Sequence, residues 1–141
     1  MSLTRKHHKG IAMADFALIV GYFLFLILTT MEISMYLYAY NINNYLAQQA
    51  LRYAVVRGNQ AYDDDNSRTD APANQADIQN YVNEIKGHGG AFQVTLNLPN
   101  ASQDPGDPIR ITVTHAYNPI LLPGSVWQHT ISTTSEGTIL Y

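Results

Sequence analysis

The chain has no cysteine among its 141 residues, so neither a disulfide framework nor a thiolate metal site is open to it. A folded domain must be held by packing and hydrogen bonds. Basic charge is also scarce: eight Lys and Arg against eleven Asp and Glu leave a net charge of −3, which gives no field for a phosphate backbone and argues against nucleic acid as a partner. Proline is missing before Pro72, and Gly21 is the lone glycine between Gly10 and Gly58. A helix over residues 11–57 therefore meets no strong breaker. At 1.5 Å per residue it is roughly 70 Å long, about twice the hydrocarbon thickness of a bilayer.

Formal charge is absent from residues 16–31, and the apolar character extends through residues 10–14 on one side and 33–40 on the other. About 20 residues suffice to cross a hydrocarbon core of roughly 30 Å. Arg5, Lys6 and Lys9, with His7 and His8, precede this segment, and after Glu32 no charge follows until Arg52. The positive-inside rule then places the N-terminus in the cytoplasm and the rest of the chain on the other side. A cleaved signal peptide also starts basic and apolar, but its apolar core runs only about 7–15 residues to a small-x-small site. Here it continues through Tyr36, Tyr38 and Tyr40, which suit an aromatic belt at the outer interface. The expected organisation is a basic cytoplasmic leader (1–10), a long helix whose first half is transmembrane (11–57) and an exported domain (58–141).

In its second half the helix becomes amphipathic. Asn41, Asn44, Gln48 and Arg52 recur at three- and four-residue spacing, and Ile42, Tyr45, Leu46, Tyr53 and Val56 are assigned to the opposing apolar face. Something must cover that face.

Two carboxylates interrupt the apolar segment. Asp15 lies about four residues into it and Glu32 a further seventeen on. A carboxylate at the centre of a membrane helix costs roughly 2.5–3.5 kcal/mol on insertion scales. If Ile11 marks the cytoplasmic edge, Asp15 is only about 6 Å deep and Glu32 about 32 Å from that edge, so both reach polar surroundings in a lone subunit. One reading makes Asp15 a headgroup-level neighbour of the leader and Glu32 an interfacial residue among Thr29, Thr30 and Ser34. The other gives both a part in assembly.

The string Lys9-Gly10-Ile11-Ala12-Met13-Ala14-Asp15-Phe16 resembles a prepilin-peptidase site: a short basic leader, a glycine, and an acid at the fifth position after it. More narrowly it resembles the TadE-like minor pseudopilins of tight-adherence (Flp-type) pilus systems. Further matches are Met31-Glu32-Ile33, the stretch over residues 50–58 with Arg52, Tyr53 and Gly58, and a C-terminal strand with Ser135-Glu136-Gly137. The fifth position here is Asp where the family usually has Glu, and the family's early helix proline is absent. The resemblance implies cleavage after Gly10, leaving Ile11 as the new N-terminus in a bacterial inner-membrane protein that passes into a surface fibre. The Ile11 amine and the Asp15 carboxylate would then be opposite charges in an apolar filament core, where pairing between subunits partly offsets desolvation. Implied partners are other pilin or pseudopilin subunits, a prepilin peptidase and membrane lipid. No cofactor is implied.

Beyond Gly58 the fold class expected is α+β, with a second short helix and a small antiparallel sheet of pilin-like type. Residues 59–73 are polar and read as a loop. Asp63, Asp65 and Asp70 are candidates for calcium, but the spacing lacks the central glycine and terminal Glu of an EF-hand, and a solvated loop is the preferred reading. Ile78, Tyr81, Val82 and Ile85 predict a helix over residues 75–86, with Asn74 as its N-cap and Gly87 at its end. Residues 91–98, residues 109–114 and part of 130–141 alternate as strands, with a Pro/Gly/Asp-rich turn over 99–108 between the first two. Packing that sheet on both helices would bury Ile42, Leu46 and Tyr53.

His88, His115 and His129 are spread without His-x-x-x-His spacing, and Ser125, Ser132 and Ser135 lack a nucleophile setting, so no enzyme activity is expected. The leading function is a minor pilin-like subunit that helps initiate, prime or tip a fibre. The alternative is a membrane-tethered binding module with an uncleaved anchor.

Overall fold

The computed structural model describes residues 5–58, 72–87, 90–120 and 128–140. The acidic loop with Asp63, Asp65 and Asp70, and with it the calcium expectation, lies outside the described residues, as do His88 and Ser125. The elements follow in the order α1 (Arg5–Val55), α2 (Gln75–Ile85), β1 (Phe92–Asn97), β2 (Pro108–Tyr117) and β3 (His129–Thr138). The architecture is α+β: a long helix, a short one and a three-stranded antiparallel sheet in the order β1-β2-β3.

At 51 residues α1 extends for about 76 Å. It starts at Arg5, six residues before the expected helix start, and runs through Gly10 without a break. Nothing in residues 5–10 opposes helix strongly, and a single interior glycine costs only about 1 kcal/mol. The hydroxyls of Thr29, Thr30 and Ser34 donate to the carbonyls of Phe25, Leu26 and Thr30 at 2.8, 2.9 and 2.8 Å. Each is thereby satisfied within its own helix.

Beyond Glu32 one face of α1 meets the sheet. Asn43, Leu46, Ala47, Ala50 and Ala54 are buried, and Ile42, Leu51, Tyr53 and Val55 pack beside them. This corrects one expectation. Tyr45, assigned to the apolar face, is 55 % exposed, while the polar Asn43 is fully buried. At 100° per residue the two lie 200° apart around the helix. Small alanines, more than large apolar residues, define the seam, because they let the helix axis come close to the sheet.

The α2 prediction agrees with the structure to within a residue. The Asn74 side chain accepts from the N–H groups of Ala76 and Asp77 at 2.8 and 3.0 Å, and Asp77 accepts in return from the Asn74 N–H at 3.1 Å, a complete capping box. Ile78 and Val82 are buried, and Tyr81 stacks on Tyr53 of α1 with ring centroids 4.5 Å apart. Gln79 closes the outer edge of β1, donating to the Phe92 carbonyl at 2.9 Å and accepting from the Val94 N–H at 2.8 Å.

Strand β2 is longer than the expected 109–114 and ends at Tyr117. It pairs with β1 from Phe92↔His115 to Asn97↔Arg110 and with β3 from Pro108↔Thr138 to Tyr117↔His129. Ile109, Ile111 and Val113 point into the core. The turn between β1 and β2 is organised by Asp107, whose carboxylate accepts from the Ser102 hydroxyl, from Asn100 Nδ2 at 2.8 Å and from the Asp104 N–H at 3.3 Å. These donors, Ser102 first, hold the carboxyl below its ordinary pKa.

Candidate functional site

Burial divides α1 in two. From Ala12 to Met31 its side chains are exposed all round except for a half-covered Thr29, and from Glu32 onward a stripe at three- and four-residue spacing is covered by the domain. The bare part is 20 residues, about 30 Å, which equals a bilayer's hydrocarbon thickness. It includes Phe16, Leu18, Ile19, Phe23, Phe25 and Leu26, each exposed. A helix long and apolar enough to cross a membrane is present over Ala12–Val55, consistent with a single-pass anchor.

Asp15 is the one charged residue in the bare part, and it is exposed. Gly10 and Ile11 lie on the same helix less than two turns before it.

Glu32 sits where the bare part ends. Its Oε1 accepts from the Tyr117 hydroxyl at 2.6 Å and its Oε2 from the Ile120 N–H at 3.1 Å, so one oxygen engages the end of β2 and the other the residues just after it. Tyr36, one turn further on, meets the Tyr117 ring edge-on with centroids 5.5 Å apart. Burial, then the hydrogen bond and negative charge of Glu32, push the Tyr117 phenol up to about 12. Ile33, Leu37 and Pro119 line an apolar hollow of about 320 Å³ beside this contact.

The remaining candidates have structural placements. Arg52 is exposed on α1. Tyr53 lies between Tyr81 and the Arg57 guanidinium, which is 3.8 Å from its ring centroid. Gly58 is buried just past the helix end, where the Arg57 carbonyl accepts from the Ala73 N–H at 3.0 Å. His115 stacks on Phe92 and bonds to the Ala91 carbonyl, and His129 lines the hollow. Among the described residues no group of three His, Asp or Glu is placed to hold a metal ion.

The partnership of Glu32 with Tyr117 was missed in the sequence, although its signal is there. Tyr117 continues the period of two set by Ile109, Ile111 and Val113, and so belongs to the strand face turned toward α1. Glu32, Tyr36 and Asn43 follow one helical stripe down to the alanine seam.

No curated protein and no solved structure matches the chain. A family model does: residues 10–52, from the glycine of the leader through the bare span and onto the alanine seam, match the TadE-like protein family.

Proposed function

We propose that this protein is a minor pilin-like subunit, a pseudopilin of a tight-adherence pilus, that takes part in assembly, priming or tip formation and is cut after Gly10. The family match supports the coarser statement, a Tad pilus-associated protein with a membrane anchor. The observation that carries the finer reading is the bare helix: 20 residues exposed all round but for a half-covered Thr29, with Asp15 as their single charge.

A plain anchor can hold that carboxylate at headgroup level but does not need it. After cleavage, the Ile11 amine of one subunit and Asp15 of a neighbour form an ion pair when bare helices pack against one another, and each charge relieves the cost of burying the other. In this reading the N-terminus is cytoplasmic, the β-sheet domain is exported from the bacterial inner membrane, and the partners are a prepilin peptidase and other pilin subunits.

Intact-mass measurement of the membrane form tests the processing. A mature N-terminus at Ile11 is expected. A leader retained on all of the protein overturns it and leaves an uncleaved membrane-tethered binding module in its place. Asp15→Ala separates insertion from assembly: the variant should accumulate in the membrane yet fail to support fibres. Normal fibre formation would show that the charge pair is dispensable.

A further inference from the structure

We propose that the segment from Tyr117, at the end of β2, to Ile120 docks on the lipid leaflet at the C-terminal side of the span, with Ile120 entering the boundary between headgroups and acyl chains. The inference rests on the membrane-anchor reading and adds a second membrane contact made by the folded domain itself.

The argument starts from depth. Counted from Ala12, the hydrocarbon core ends about 20 residues on, at the level of Glu32. Glu32 is also the residue to which this part of the domain is fastened, through the Tyr117 hydroxyl and the Ile120 N–H. The backbone of Ile120 is therefore held within a hydrogen bond of the helix at the membrane boundary. A domain tethered by a loose linker would have no such fixed height.

Composition at that height agrees. The Ile120 side chain is 72 % exposed, Leu140 being the other strongly exposed aliphatic side chain of the described domain. Pro119 and Ile120 carry no charge, and beside them Asn118 Oδ1 accepts from Gln128 Nε2 at 3.2 Å. The hollow beside Ile33, Leu37 and Pro119 opens at the same level and has almost wholly apolar walls. Tyr36, Tyr38 and Tyr40 are exposed on the first turns after Glu32, the depth at which amphipathic rings settle. An acyl chain suits such a surface, and the Glu32 carboxylate beside it already accepts from Tyr117 and Ile120.

A second copy of the chain is the competing occupant, since exposed apolar surface marks protein contacts as readily as lipid contacts. Lipid is favoured because the patch is continuous with the bare helix, whose solvent in the lone subunit is lipid on every side.

The native chain has no cysteine, so single spin labels can be placed at Ile120→Cys, at Leu24→Cys on the bare helix and at Gln48→Cys on the exposed face beyond Glu32. The full chain is held in lipid nanodiscs at one copy per disc, and each label's relaxation by oxygen and by a water-soluble nickel chelate is compared. Expected is a lipid-like pattern at Leu24 and Ile120, with access of the chelate several-fold below that at Gln48. A water-like pattern at Ile120 with Leu24 protected overturns the docking and leaves the anchor standing. Water-like behaviour at Leu24 overturns both. Protection of Ile120 only in discs holding two or more copies also overturns the proposal and assigns the patch to a second subunit. Because the label itself is apolar, the Ile120 methyl signal of the unlabelled chain, identified by Ile120→Val, is measured too. It should broaden with a lipid-borne radical and not with a water-borne one, and the reverse result rejects lipid contact.

Discussion

Glu32 and Tyr117, 85 residues apart in sequence, meet through a 2.6 Å hydrogen bond that fixes the level at which the C-terminal domain begins to cover α1. The contact is placed where helix exposure changes from all-round to one-sided. It makes Glu32 a joint between anchor and domain in addition to any part it takes in assembly. A carboxylate near the end of a span is inexpensive to keep when two donors face it, and here they are a phenol and a backbone N–H.

Tyr117→Phe removes one of those donors and should destabilise the domain by about 1–2 kcal/mol, the range for a hydrogen bond to a charged group that is partly solvated. The phenol also gives a pH signature. Its pKa is raised in the folded state to about 12, from an ordinary value near 10. The stabilisation is therefore fully present below about pH 10 and is lost as pH rises toward 12. Alkaline titration of phenolate absorbance should show a late-titrating component that vanishes in Tyr117→Phe. In Glu32→Gln it should move down only in part, because burial is the largest cause of the shift.

Asn43 joins α1 to the middle of the sheet. Its Nδ2 donates to the Val113 carbonyl at 2.9 Å and to the Thr133 hydroxyl at 2.5 Å, with the Ile131 carbonyl 3.3 Å away, all in a fully buried position. Asn43→Ala deprives those acceptors of their donor and should cost about 1–3 kcal/mol in urea unfolding of the full chain in detergent. Asn43→Asp should be worse at neutral pH, since a buried carboxylate then faces carbonyl oxygens. Burial raises the pKa of that carboxyl, so its stability should recover on acidification, when the protonated acid can donate. Equal stability of the Asp and Asn forms at neutral pH would show that the contact contributes nothing.

What was legible in the sequence is what depends on short-range pattern. The break-free run that became α1, the Asn74 cap of α2, the alternation of the strands and the Pro/Gly/Asp-rich turn each carry their cause within a few residues of the element they specify. The Asn43 contact depends on the distance between helix and sheet, which is set by Ala47, Ala50 and Ala54, residues too weakly apolar to stand out in a periodicity. Tyr45 was misassigned for the complementary reason: a large ring counts as apolar wherever it points. The helix starts at Arg5, ahead of Ile11, because basic residues report membrane topology and say little about backbone conformation. The Glu32 contact needs β2 to reach Tyr117, three residues beyond the clear alternation.

The close approach of helix and sheet gives the last prediction. At Gly137 on β3 an added Cβ would lie 3.3 Å from both Leu51 methyls and 3.4 Å from Val55 Cγ2, a fit that demands a shift of a few tenths of an ångström from each. Gly137→Ala should cost at most about 1 kcal/mol, because methyl ends of flexible side chains yield, whereas Gly137→Val should cost about 1–3 kcal/mol by overpacking. Leu51→Ala alone should also destabilise, by opening space on the helix side. Together, Leu51→Ala and Gly137→Val should cost less than the sum of the two, since each relieves the other's misfit, and a double-mutant cycle in urea measures the difference. Simple additivity would mean that the seam adjusts elsewhere and that Gly137 is not what lets α1 lie so close to β3.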